Sequence, residues 1–446
     1  MRSPLVALFS LLLVGCTGCQ QDGIVPPGDG GAIDARADRS DAPSDATVLD
    51  AAVEDGGGNG WFPSGEWEQP LLGDGCTVKV AKDPNAAVSP WTYTSCAGGP
   101  VGCEIAVQDW SPKPYNNNPL ILSRQQVSFV GGKAVLTYRR NYENRALVEV
   151  VQELDGVRLL AAGASVTAAD SCFASLVPAS GGVGWVALRT KQKKTVGYYG
   201  ALSLWTALST PLGAKLYAGA DFGTSASSVN EPSASGDRLF LEVTAPYNVV
   251  TIAPLAGGAI TFPPTATRAE GMREVPDGVL GISTDTYGIR LVKKDATSTL
   301  LYTTPASTVT NDMAYDPKTN KVVWRDVVQG GSGWESGKIY AATYSPNGLS
   351  PVLVTKVPSD YDYYQPSFVA YGNYVILPRT NGALRVVRLS DGMGWDVALP
   401  PNEKIVDALW VDDDHVWLWD KNGTRVDAIV RLSRSGWGAP TVPPSL

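Results

Sequence analysis

Residues 313–324 read MAYDPKTNKVVW, two short apolar runs joined by a polar stretch that holds Pro317 and Asn320. Aromatic and β-branched residues on either side of such a turn predict a tight β-hairpin. The same frame recurs up and down the chain, as PSASGDRLFLEV at 232–243, SFVAYGNYVILP at 367–378 and ALWVDDDHVWLW at 408–419. Aligned on the run after the turn, the frame begins at Val135, Trp185, Leu239, Val279, Val322, Val375 and Val416, spaced 50, 54, 40, 43, 53 and 41 residues apart.

Each hairpin is followed by a variable loop and a third strand, and often by a glycine turn into a fourth, as in GKIYAATYSPNG (337–348) and GALRVVRLSDG (382–392). NG and DG in such positions favour tight hairpins. No stretch beyond residue 120 sustains a helical period, so the class is all-β. Four antiparallel strands repeated every 40 to 50 residues predict a β-propeller of about seven four-stranded blades, with six to eight compatible with the N-terminal segment. A pair of β-sandwiches is the alternative that short, regularly spaced strands allow. The repeat resembles WD40-like and kelch-like propellers in architecture, but lacks the landmark GH and WD pairs of the first and the paired glycines of the second.

The chain has 446 residues with 47 Gly and 32 Pro, and a formal charge of -8. Residues 16–60 carry nine acids against two Arg, which leaves -2 for residues 61–446. A nearly neutral folded part offers no polyanion-binding surface, so nucleic acid is excluded as a partner. With His415 the only histidine, most of the menu of His-dependent nucleophilic catalysis and His-ligated metal sites drops out as well.

Arg2, the apolar run Leu5 to Val14 and then Leu13-Val14-Gly15-Cys16 resemble the signal of bacterial lipoproteins. Ten apolar residues are too few to span a bilayer, which suits a removed signal. The resemblance implies cleavage after residue 15, a lipid on Cys16 (with Cys19 as the second choice) and membrane attachment through that lipid. Thr17 rather than Asp after the cysteine implies the outer membrane, on either its periplasmic or its cell-surface face. Residues 16–60, rich in Asp, Ala and Gly, read as a disordered tether. Their composition resembles that of predicted lipoproteins from myxobacteria.

Four cysteines remain. Cys96 and Cys103 flank the turn-like AGGPVG, which favours their pairing and leaves Cys76 with Cys172. The organisation expected is therefore a signal (1–15), a lipidated tether (16–60), a disulfide-containing β segment that completes or caps the ring (61–121), and propeller repeats (122–446).

Counting back from the aligned runs, the first residues of the innermost strands are Gln125, Asp170, Glu231, Glu274, Asp312, Gln365 and Asp407. Carboxylates converging on an axis suit a funnel for a cation such as Ca²⁺ or for a polyhydroxyl ligand. A solvated channel with side chains bonded to backbone is the plainer reading. A second group, Asp360, Tyr361, Asp362, Tyr363 and Tyr364 with Trp334, has the aromatic-plus-acid chemistry of sugar recognition, though packing between blades would also use it. No nucleophile, phosphate or dinucleotide motif is present. Two functions stay open: a monomeric, non-catalytic surface module that binds a protein or a glycan without a cofactor, or a glycosidase or lyase working through Asp312, Glu231 and Asp407.

Overall fold

A computed structural model of the chain describes residues 92–107, 269–283, 285–328, 337–357, 368–378, 384–399, 405–422 and 426–441, together with Thr261 and the strands and tight turns given below between residues 67 and 254. Four strands precede the repeats: β1 (Trp67–Glu68), β2 (Thr77–Ala81), β3 (Thr94–Ser95) and β4 (Cys103–Val107). The first repeat is the meander β5 (Gln125–Val130), β6 (Lys133–Asn141), β7 (Ala146–Glu153) and β8 (Leu159–Val166). Its outer edge is extended by β2 and then β1, making six strands.

The second sheet is β9 (Ser171–Ala179), β10 (Gly182–Gln192), β11 (Tyr199–Thr210) and β12 (Gly213–Tyr217). In the third, β13 (Ser228–Val229) and β14 (Ser233–Ser235) share one edge of β15 (Arg238–Thr244), and β16 (Val249–Pro254) takes the other. Three regular meanders follow: β17 (Glu270–Val275) to β20 (Ser298–Tyr302) through β18 (Gly278–Ile282) and β19 (Ile289–Lys293); β21 (Thr308–Asp316), β22 (Lys321–Val328), β23 (Lys338–Thr343) and β24 (Val352–Lys356); and β25 (Val369–Tyr371), β26 (Tyr374–Pro378), β27 (Leu384–Arg388) and β28 (Gly394–Val397). The last sheet joins the final repeat to strands that precede the first. β29 (Ile405–Val411), β30 (His415–Asn422) and β31 (Val426–Ser433) are continued by β4 and β3.

The first strands β5, β9, β14, β17, β21, β25 and β29 neighbour one another in that order, and β29 returns to lie against β5. The fold is thus all-β and propeller-like. It differs from seven like blades: among the described residues five sheets are four-stranded, while the first has six strands and the last five. The departures have one cause, since the strands ahead of the repeats add to sheets that the repeats begin and end.

Where their side chains are described, second strands are covered on both faces, which is why their sequences run mostly apolar instead of alternating. In β22 every residue from Val322 to Val327 is buried. Adjacent sheets bury their faces against each other. Val279, Val292 and Met272 meet Phe240 and Ile252 of the preceding sheet, and Leu280 and Leu291 meet Val322 and Trp324 of the next. Val323 and Ile339 then meet Val375 and Val387, and Ile376 and Val386 meet Leu418 and Val430. Hairpins between first and second strands are tight. Gly372 and Asn373 both have positive φ, 59° and 76°, the pair of left-handed residues that a two-residue hairpin turn needs.

Polar ties cross the sheets at this hairpin edge. Asp316, fully buried, accepts hydrogen bonds from the Lys318 and Thr319 backbone and from the Asn373 N–H of the next sheet. Lys318 reaches one sheet further and pairs with Asp413 at 2.6 Å.

The β3–β4 hairpin carries the Cys96–Cys103 disulfide. β4 pairs antiparallel with β31 from Val107↔Ala428 to Cys103↔Leu432. Arg431 forms an ion pair with Glu104 at 2.5 Å and lies 4.0 Å over the Tyr93 ring, whose hydroxyl donates to the Leu154 carbonyl beside the first sheet. Cys16, Cys19 and Cys76 lie outside the described residues, as does the side chain of Cys172. No helix among the described residues is long and apolar enough to cross a membrane.

Candidate functional site

The first strands carry the candidate site, with Gln125 opening β5, Asp407 third in β29 and Asp312 midway along β21, deeper than the strand start expected for it. Asp312 on β21 faces Arg325 on β22, Asp407 on β29 faces Trp419 on β30, and Gln125 on β5 faces Tyr138 on β6. Arg325, Trp419 and Tyr138 occupy the same place in their aligned runs, three residues after Val322, Val416 and Val135. The structure therefore sets Gln125, Asp312 and Asp407 at one register level.

Two of the expected positions are corrected. In the fourth sheet the corresponding run residue, Ile282, faces Glu270, whereas Glu274 faces Val279 beside the hairpin turn. The register slips between Glu270 and Arg273, and equal counting along strands cannot see a bulge, which inserts a residue without a partner. In the second sheet Leu188 faces Phe173, and Asp170 precedes β9. Glu231, Asp360, Tyr361, Asp362, Tyr363, Tyr364, Gln365 and Trp334 lie outside the described residues, as do the side chains of Gln125, Glu270 and Asp407. The strands flanking the two aromatic segments end at the edge where the first strands begin: β22 runs into β23 across residues 329–336, and β24 into β25 across 358–367.

Asp312 is held inside the wall. Its Oδ2 lies 2.6 Å from an Arg325 guanidinium nitrogen, and Arg325 is 1% exposed against 18% for Asp312. Burial raises the Asp312 pKa above the usual carboxylate range, and the charge of Arg325, with Asn311 and Arg273 nearby, opposes that rise.

On the other face of β22, Asp326 is buried and accepts hydrogen bonds from the Tyr302 hydroxyl of β20 and from Thr310 Oγ1, the latter at 2.8 Å. Burial pushes its pKa up, against the hydrogen bonds from Tyr302 and Thr310. Trp324, fully buried, lies 4.8 Å from the Tyr302 ring and stacks on Tyr340 at 5.8 Å. Sequence reasoning passed over this group. Its signal was the pair Arg325-Asp326 in an otherwise apolar second strand.

Elsewhere, burial raises Glu274 to about 7, opposed by the Gly236 N–H and by Lys294. Asp412 accepts the backbone N–H groups of Asp414 and His415 at 2.8 Å and shapes the turn between β29 and β30. Trp410 and Trp417 are buried in the last sheet. Among the described residues no group of three or more His, Cys, Asp or Glu is placed to hold a metal ion.

No protein-family model matches the chain, and no curated protein matches it in sequence. Solved structures similar in fold include an oligogalacturonate lyase from Vibrio parahaemolyticus, with 9% identity, a TM-score of 0.36, and coverage of 78% of this chain and 97% of that one. YCF48 from Cyanidioschyzon merolae aligns at 7% identity and a TM-score of 0.39, covering 77% and 98%. A puromycin hydrolase aligns at 13% and 0.47, covering 79% of this chain and 58% of that one. Likeness at this depth carries no information on activity.

Proposed function

We propose that the chain is an exported β-propeller, anchored in the outer membrane by a lipid on Cys16, that acts as a non-catalytic binding module. All seven sheets serve as blades in this reading, the first and last enlarged by β1 to β4. The ligand, a glycan or a protein, meets the edge at which the first strands begin. The address and the tether rest on the first sixty residues, and the choice against catalysis rests on Asp312. A glycosidase or lyase needs a carboxyl group free to exchange a proton or attack the sugar, facing a second carboxylate about 5 to 10 Å away. Asp312, the expected acid whose side chain is described, is instead ion-paired with a buried arginine.

Two experiments test the reading. Full-length protein made in a Gram-negative host with radiolabelled palmitate should take up label and sediment with outer membranes, and Cys16→Ala should lose both. Label that survives the substitution would overturn the anchor. Incubation with polysaccharides should leave their size distribution unchanged, and shortened products would overturn the non-catalytic reading.

A further inference from the structure

We propose that the seam between the fourth and fifth sheets, at the edge where the first strands begin, is a glycan subsite built from Tyr287, Tyr302, Tyr340, Thr310 and Asp326. The inference rests on the binding-module reading and gives it a ligand class and a place. Thr310 is the pivot. Its N–H donates to the Tyr287 carbonyl at 3.0 Å, and its hydroxyl donates to Asp326 at 2.8 Å. The loop of the fourth sheet and the carboxylate of the fifth are thereby held together.

The two sides of the seam differ in openness. Trp324 is sealed between Tyr302 and Tyr340, while those two tyrosines are only half-buried and keep part of their rings at the surface. Tyr287 is 44% exposed and has φ 54°. A bulky residue in the left-handed region is held there against its own preference. Its carbonyl is bound to the Thr310 N–H, which ties this exposed residue to the first strand of the next sheet. Lys338 is exposed and directly opposite Asp326 in the β22–β23 register, so both side chains leave the same face of the sheet.

This inventory matches a sugar better than a purely structural tie. Tyrosine rings stack on the apolar faces of pyranose rings and keep a hydroxyl for the ring substituents, and a few fixed polar groups set orientation within an apolar site. The Tyr302–Asp326 bond alone would fasten the two sheets. It leaves unexplained an exposed Tyr287 on a strained backbone and an exposed lysine opposite Asp326.

The test is isothermal titration of the full-length protein with cello-, xylo-, chito- and galacturono-hexaoses. Tyr287→Ala removes an exposed ring, and Tyr340→Phe removes one hydroxyl while keeping the stack on Trp324. Tyr315→Phe, near the opposite hairpin edge, is the control. At least one hexaose should bind, about tenfold more weakly after Tyr287→Ala and a few-fold more weakly after Tyr340→Phe. The control should match wild type, and all three variants should keep the wild-type melting temperature. No hexaose bound, or one bound equally well by both seam variants, would overturn the subsite. The module reading fails separately, if wild type shortens any of these sugars.

Discussion

Asp312 and Arg325 form a pair whose two members are unequally buried, which makes their separation informative. Removing a partner from a buried ion pair leaves the remaining charge less well compensated, so Asp312→Ala should lower unfolding stability by about 3 kcal/mol in chemical denaturation. A ligand-binding or catalytic acid would behave differently, giving unchanged stability and lost binding. Glu274 supplies a pH signature. Its folded pKa of about 7 lies above the ordinary carboxylate value, so the unfolded chain gives up this proton first as pH rises. The stability tied to its protonation is complete below about pH 4 and is lost as pH climbs through 7. Glu274→Gln should therefore raise the melting temperature at pH 8 and leave it unchanged at pH 4, measured by scanning calorimetry. At this scale the sequence was a poor guide. Counting back from the runs puts Asp312 and Asp407 at strand starts, whereas they are the fifth residue of β21 and the third of β29, and it displaces Glu274 by four residues because the bulge after Glu270 leaves no mark in an apolar–polar pattern.

The β3–β4 hairpin is the element that extends the last sheet beyond β31. Its tip sits against the end of β31: the Ser433 N–H donates to the Gly102 carbonyl at 2.9 Å, and a Cβ on Gly102, at φ 75°, would fall 1.8 Å from Ser433 Oγ. Gly102→Ala should cost about 1–3 kcal/mol in an unfolding titration, because it combines a left-handed backbone with a steric clash. Loss of the Cys96–Cys103 link in Cys96→Ser/Cys103→Ser should cost about 2 kcal/mol, the chain-entropy value for a loop this short. A double variant as stable as wild type would show that pairing with β31 alone holds the hairpin. The sequence marked this turn through AGGPVG between two strand-like runs. It could not show which sheet β4 joins, since strand alternation records burial and carries no name for the partner.

Across the whole molecule, the seven runs recognised by spacing each lie in the second strand of a different sheet, from β6 to β30. That part was legible because a second strand, covered on both faces, is mostly apolar. The sheets' differing strand numbers were not legible, because edge strands such as β1 and β3 are two residues long and leave no periodicity to read. The seam around Trp324 was hidden for another reason: it is assembled from β20, β21, β22 and β23, and no local stretch contains it. If β4 closes the ring, deleting residues 92–107 should expose the first and last sheets together. Hydrogen exchange should then accelerate in both β5–β8 and β29–β31, with β21–β24 protected longest.

The most direct test of the account is to pass a soluble polysaccharide panel over the immobilised full-length protein and size the carbohydrate that is held and the carbohydrate that is released. Binding without catalysis predicts that at least one polysaccharide is retained and recovered at its original length. Shortened chains in the eluate would contradict the non-catalytic reading, and no retention of any member of the panel would contradict the glycan as its ligand.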